Sequence, residues 1–172
     1  MEIGPWEIFW LACGVTTIIA AVLANRSRRA RSLGRAAVGV LFFGGALQHV
    51  INLASGADYA DFADPAHFGW VTDAWRAVVA PNQVLWIGLL AVFEATVGAL
   101  VLSGGRRTQL GYVGVIGFYL ALTLFGWFET VWFVVMVPAM VLLLRAERRA
   151  RTAPTPPPAV PVGDKPSAGV SS

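Results

Sequence analysis

Apolar residues fall in long runs along this chain, and polar or charged residues collect between them. The first run covers residues 5–24, the second 36–54 and the third 83–102. A bilayer core about 30 Å thick takes roughly 20 helical residues to cross, and each run meets that length. The last apolar stretch, residues 112–144, is longer. As one helix it would extend about 50 Å, too far for a single span even with tilt. Trp127-Phe128-Glu129-Thr130 supplies a polar break near its middle and divides it into spans over 112–126 and 130–145. The pattern therefore predicts an all-α integral membrane bundle of five transmembrane helices. Pro5 suits the first turn of the first helix, and Trp6 and Trp10 suit a membrane interface.

The arginines orient the bundle. Arg26, Arg28, Arg29, Arg31 and Arg35 fill the first loop, Arg106 and Arg107 follow the third span, and Arg145, Arg148, Arg149 and Arg151 follow the last. Cytoplasmic loops carry the Lys/Arg excess. Five spans put all three clusters on the cytoplasmic side, with the N-terminus outside and the C-terminus inside, and leave only Arg76 outside. Four spans would put the last cluster on the opposite side; one long helix over 112–145 that crosses the membrane and continues into solvent is the alternative. The first run begins with Glu2 and Glu7 in place of a basic region, so it reads as a span and not as a cleaved signal peptide. The external connection 55–82 carries Asp58, Asp61, Asp64 and Asp73 among Tyr59, Phe62, Phe68, Trp70 and Trp75. Residues 68–79 read as an amphipathic helix at the outer interface, ended by Pro81. Residues 152–172, with six prolines among small residues, read as a disordered cytoplasmic tail.

Composition sharpens this picture. Hydrophobic residues make up 56% of the chain and charged residues 13%, against roughly 45–50% and about 25% in soluble domains. That excludes a cytosolic enzyme, and the lipid bilayer becomes the first partner. Net charge is +3; in a membrane chain this reflects loop placement, and nucleic acid is not expected as a partner. Cys13 is the single cysteine, so a CxxC redox motif and a cysteine zinc site are excluded.

Few residues can carry chemistry. Glu94 lies near the middle of the third span, where a carboxyl group must face other helices and find a partner or be held neutral. Ala91, Ala95, Gly98 and Ala99 around it would let another helix approach closely. It is either interhelical hydrogen-bond glue or a ligand- or proton-handling group. In the second span, Gln48, His49 and Asn52 share one surface at helical spacing, one turn above Gly44 and Gly45. His49 is either a neutral ring satisfied by a neighbour or a ligand-contacting group near Glu94. His49, Asn52 and Glu94 thus form the candidate intramembrane polar site. Haem would need a second imidazole, and only His67 in the outer loop remains. Asp61, Asp64 and His67 have helical spacing but read as a solvated acidic loop, so no metal site is expected. Glu129 and Thr130 read as turn residues and Cys13 as a packed one. No phosphate loop, Ser-His-Asp set or metalloprotease helix is present in the sequence.

The third span and its flanks resemble the DoxX-like membrane proteins. The resemblance rests on Phe93-Glu94-Ala95-Thr96-Val97-Gly98, then Leu100-Val101-Leu102, Gly105-Arg106-Arg107 and Leu110-Gly111. Leu41-Phe42-Phe43-Gly44-Gly45 leading to His49, and the aromatic and acidic loop with Tyr59, resemble the family's first helix and the loop after it. The likeness covers residues 36–148 and leaves the N-terminal span as an addition to a four-helix bundle. It implies a plasma-membrane protein, redox-associated, that binds a quinone or another lipophilic molecule without a redox centre of its own and works with a membrane or redox protein partner. It supplies no catalytic residue set. Two other readings stay open: a non-enzymatic scaffold or assembly factor, and a small-molecule carrier, for which Pro138 and the break at 127–130 are weak signals.

Overall fold

Five long helices carry the chain in the computed structural model, which describes residues 4–152. They are α1 (Pro5–Leu23), α2 (Arg28–Ala54), α4 (Gln83–Leu102), α5 (Gly105–Leu122) and α6 (Trp127–Thr152). A short helix, α3 (Gly69–Ala74), runs on through a π-helical turn at Trp75–Val79 and a 3-10 turn at Ala80–Asn82 into α4. All the regular structure among the described residues is helical. Around the bundle, α1 packs on α2, α2 on α4, α4 on α5 and α5 on α6, and α6 returns to α1. The N-terminal helix therefore closes the ring between α2 and α6.

Four helical segments are long and apolar enough to cross a membrane: α1, α2, the run from Gly69 to Leu102, and α6. α5 has only 18 residues and opens on Arg106, Arg107 and Gln109, which shortens its apolar part. The exterior is that of a membrane protein. On α1, Ile8, Leu11, Val15, Ile19 and Val22 form a stripe facing outward at helical spacing, while Gly14, Thr17, Ala20 and Ala21 are buried. Small residues face the bundle and branched apolar ones face away, the inverse of a soluble helix. The Thr17 hydroxyl donates to its own helix at Cys13 O, 2.8 Å away, so its burial leaves no donor unpaired.

The helix ends differ from the sequence pattern in three places. The arginines of the first polar stretch from Arg28 onward are helical and form the first turns of α2, with Ser27 Oγ accepting from Ala30 N at 3.2 Å as the cap. Arg106 and Arg107 likewise open α5, behind a turn made by Gly104 and Gly105, both at positive φ. The break in the last apolar stretch lies at Thr123–Gly126 and not at Trp127–Thr130, which form the first turn of α6. Gly126 makes that turn because it is buried, with Pro65 O 3.3 Å from where a Cβ would stand. Pro138 sits inside α6 without ending it. The expected helix at 68–79 corresponds to the α3 run. The tail read as disordered lies, from residue 153 on, outside the described residues.

α2 and α4 pack most closely where glycines meet. A Cβ on Gly98 would stand 3.2 Å from Gly39 O, and one on Gly39 would stand 2.6 Å from Leu102 Cγ. Ala91 is buried with them, whereas Ala99 faces outward. This seam brings the middle of α4 against the upper half of α2, and so sets Glu94 beside His49.

Candidate binding cavity

Glu94 points into the bundle and is only 6% exposed. Its Oε2 lies 3.7 Å from His49 Nε2 on α2. That is an ion-pair distance and longer than a hydrogen bond, and Glu94 Oε2 has no hydrogen-bond partner among the described residues. Gly45 makes the contact geometrically open, since it stands one turn before His49 and has no side chain to meet the carboxyl group.

The other ring nitrogen of His49, Nδ1, lies 3.2 Å from the Tyr59 hydroxyl. Tyr59 is itself fixed twice through its backbone. Its N–H donates to Gln83 Oε1 at 3.0 Å, and its carbonyl accepts from Trp75 Nε1 at 2.7 Å. The connection between α2 and α4 is thereby tied to the start of α4 and to the α3 run. Phe62, Trp75 and Phe125 then pack together with ring centroids 5.0 to 5.4 Å apart. His67 closes the far side: its N–H donates to Leu124 O at 3.1 Å, and its Nε2 lies 3.0 Å from Thr130 Oγ1. The loop lies clasped over the α5–α6 turn.

Beneath this clasp is a cavity of about 520 Å³, within the usual range for small-molecule sites. Half of the residues that line it are Phe, Tyr or Trp, and Gln48, His49, Glu94 and Glu129 are the polar exceptions besides Tyr119. Trp6 and Trp10 of α1 and Trp132 of α6 form one wall, with the Trp10 and Trp132 rings 3.4 Å apart between centroids. Trp132 Nε1 is buried with no well-formed hydrogen bond among the described residues, and Tyr119 is the polar side chain beside it. Glu94 Oε2 therefore keeps an unused hydrogen-bonding position, and Trp132 Nε1–H has only Tyr119 near it without a well-formed bond. Trp86 and Phe128 also line the cavity yet are 41% and 68% exposed, so its mouth reaches the outer surface of the bundle.

Of the three polar residues singled out in the sequence, His49 and Glu94 meet at this cavity. Asn52 does not: its Oδ1 accepts from Gln48 Nε2 at 2.7 Å and it is not among the lining residues. Spacing of four along α2 brings Gln48 and Asn52 to each other before it brings Asn52 to α4. Asp64 pairs with Arg76 at 2.8 Å in the connection between α2 and α4, and no cluster of three metal-ligating side chains occurs among the described residues. Glu129, expected in a turn, lines the cavity. Sequence reasoning missed Tyr59 as the partner of His49 and Trp6, Trp10 and Trp132 as a wall. The tryptophan-rich start of the first span is the available signal, and interface anchoring accounts for it equally well at the level of sequence. Comparison with family models, with curated proteins and with solved structures gives no match.

Proposed function

We propose that this chain is a multi-pass plasma-membrane protein that binds a lipophilic small molecule inside its helix bundle, as a redox-associated subunit of DoxX-like type without a redox centre of its own. The observation that carries the reading is the convergence of Glu94 and His49 on one aromatic cavity with a mouth toward the bundle exterior. A quinone is the first ligand to test. Its carbonyl oxygens accept hydrogen bonds, and Trp132 Nε1–H is a buried donor that makes no well-formed hydrogen bond among the described residues. Its ring is a flat apolar body for the aromatic walls. Electrons would come from a membrane or redox protein partner. Five of the seven tryptophans line the cavity, so titration of the purified protein with decylubiquinone should quench tryptophan fluorescence saturably. Loss of that quenching in His49→Ala is expected, and no saturable quenching in the native protein overturns the reading.

The topology belongs to the same proposal: five spans, N-terminus outside and C-terminus cytoplasmic. In its support, α5 packs between α4 and α6, and five crossings gather every arginine except Arg76 on one side of the membrane. A reporter fused after Leu144 should be active only in its cytoplasmic form, and activity of an exported reporter there overturns the assignment.

A further inference from the structure

The cavity has a charge bias that a neutral quinone does not use. Its lining includes two carboxyl side chains, Glu94 and Glu129, and no lysine or arginine. Glu94 is more than nine-tenths buried, and its Oε2 accepts no hydrogen bond. A buried carboxylate requires a compensating charge or donor. His49, at 3.7 Å, is the nearest basic group. A neutral His49 that accepts the Tyr59 proton at Nδ1 directs Nε2–H toward Glu94 and adds no charge. The arginines do not compensate it either: Arg76 is held by Asp64 in the outer loop, and Arg35 by Glu147 at the other end of α2. In its ionised form Glu94 thus has no fixed positive charge beside it among the described residues, and a cationic guest supplies one.

The walls are built for the same kind of guest. Aromatic faces attract cations through their quadrupole, most strongly tryptophan, and the attraction grows when water is excluded. Trp6, Trp10, Trp75, Trp86 and Trp132 all line the cavity. We infer that the site takes lipophilic organic cations, with Glu94 as the counter-charge and the tryptophan walls as the cation-binding faces. This rests on the reading that the cavity binds a lipophilic molecule, and it adds a ligand class that the redox reading does not include. The mouth at Trp86 and Phe128 gives such a cation entry from the surface of the bundle.

The test uses the full-length protein in nanodiscs, with tetraphenylphosphonium as the cation and triphenylphosphine oxide as an uncharged aromatic control. Saturable tetraphenylphosphonium binding is expected by equilibrium dialysis and by tryptophan quenching. It should weaken about tenfold or more in Glu94→Gln, the loss of one charge-assisted contact, and persist in Glu94→Asp. Equal binding in Glu94→Gln overturns the inference. So does equal affinity for triphenylphosphine oxide, which decides the matter on the native protein if Glu94→Gln does not fold. Decylubiquinone binding without tetraphenylphosphonium binding overturns the cation inference and leaves the cavity reading standing. Absence of both overturns the two together.

Discussion

Gly45 and Glu94 face each other across the seam between α2 and α4, and a Cβ at position 45 would stand 2.9 Å from Glu94 Oε2. Glycine inside a helix costs about 1 kcal/mol relative to alanine. Here it leaves the space into which the carboxyl group projects. Its neighbour Gly44 does the same for α1: a Cβ there would stand 2.7 Å from the Phe9 ring. Two consecutive glycines in α2 thus admit a carboxyl group on one side and a helix on the other.

Gly45→Ala should separate stability from binding. The added methyl favours the helix by up to about 1 kcal/mol and displaces the carboxyl group from the cavity wall. The melting temperature should stay level or rise, while affinity for tetraphenylphosphonium or decylubiquinone falls. Melting and titration on one preparation check this. Unchanged affinity for both would remove Glu94 from the site.

Glu94→Leu should not destabilise the fold. A buried polar atom without a hydrogen bond carries a desolvation penalty of about 1–3 kcal/mol, and an apolar side chain of similar size removes it. We expect equal or higher thermal stability together with loss of ligand binding, the trade-off of a site kept for function. A clear drop in melting temperature would show that the carboxyl group holds the bundle together.

Arg35 and Glu147 form the reverse case at the other end of the bundle. Arg35 Nε lies 3.5 Å from Glu147 Oε1, and Glu147 is buried. Arg35→Ala leaves that carboxylate alone and should cost about 1–3 kcal/mol, less than a fully buried pair because the arginine keeps partial contact with solvent. The double variant Arg35→Ala/Glu147→Gln should recover part of the loss. Strict additivity in a double-mutant cycle would show that the two residues are not coupled.

Gly14→Leu tests α1 as the cavity wall. A Cβ on Gly14 would stand 2.5 Å from the Trp132 ring, so a leucine must displace that ring or push α1 away from α6. Overpacking of this kind costs about 1–3 kcal/mol. It should also separate Trp10 from Trp132, shift tryptophan emission and weaken ligand binding. Gly117→Leu serves as control, because nothing lies within 4 Å of a Cβ there. Equal effects from both substitutions would deny α1 a specific role.

The apolar runs alone marked where the long helices lie, because hydropathy over some twenty residues is a local property. The mid-span position of Glu94 among small residues also pointed inward without any coordinates, since a carboxyl group facing lipid is too costly. The helix ends were less legible. Arginines at a polar stretch look alike whether the backbone is a loop or the first turns of α2, and only capping by Ser27 and the packing of α2 on α1 and α4 decide it. In the last apolar stretch polarity is the visible signal, and it points to Glu129. The turn falls at Gly126, where Glu129 and Pro65, the latter far away in sequence, crowd the place a side chain would take. The cavity is likewise a tertiary product: Trp10 meets Trp132 and Tyr59 meets His49 only once the ring of helices closes. Periodicity states which face of a helix is apolar or polar, but it does not state which other face that one will meet. That choice follows from the shapes of whole helices packing together, where glycines set the distances of approach.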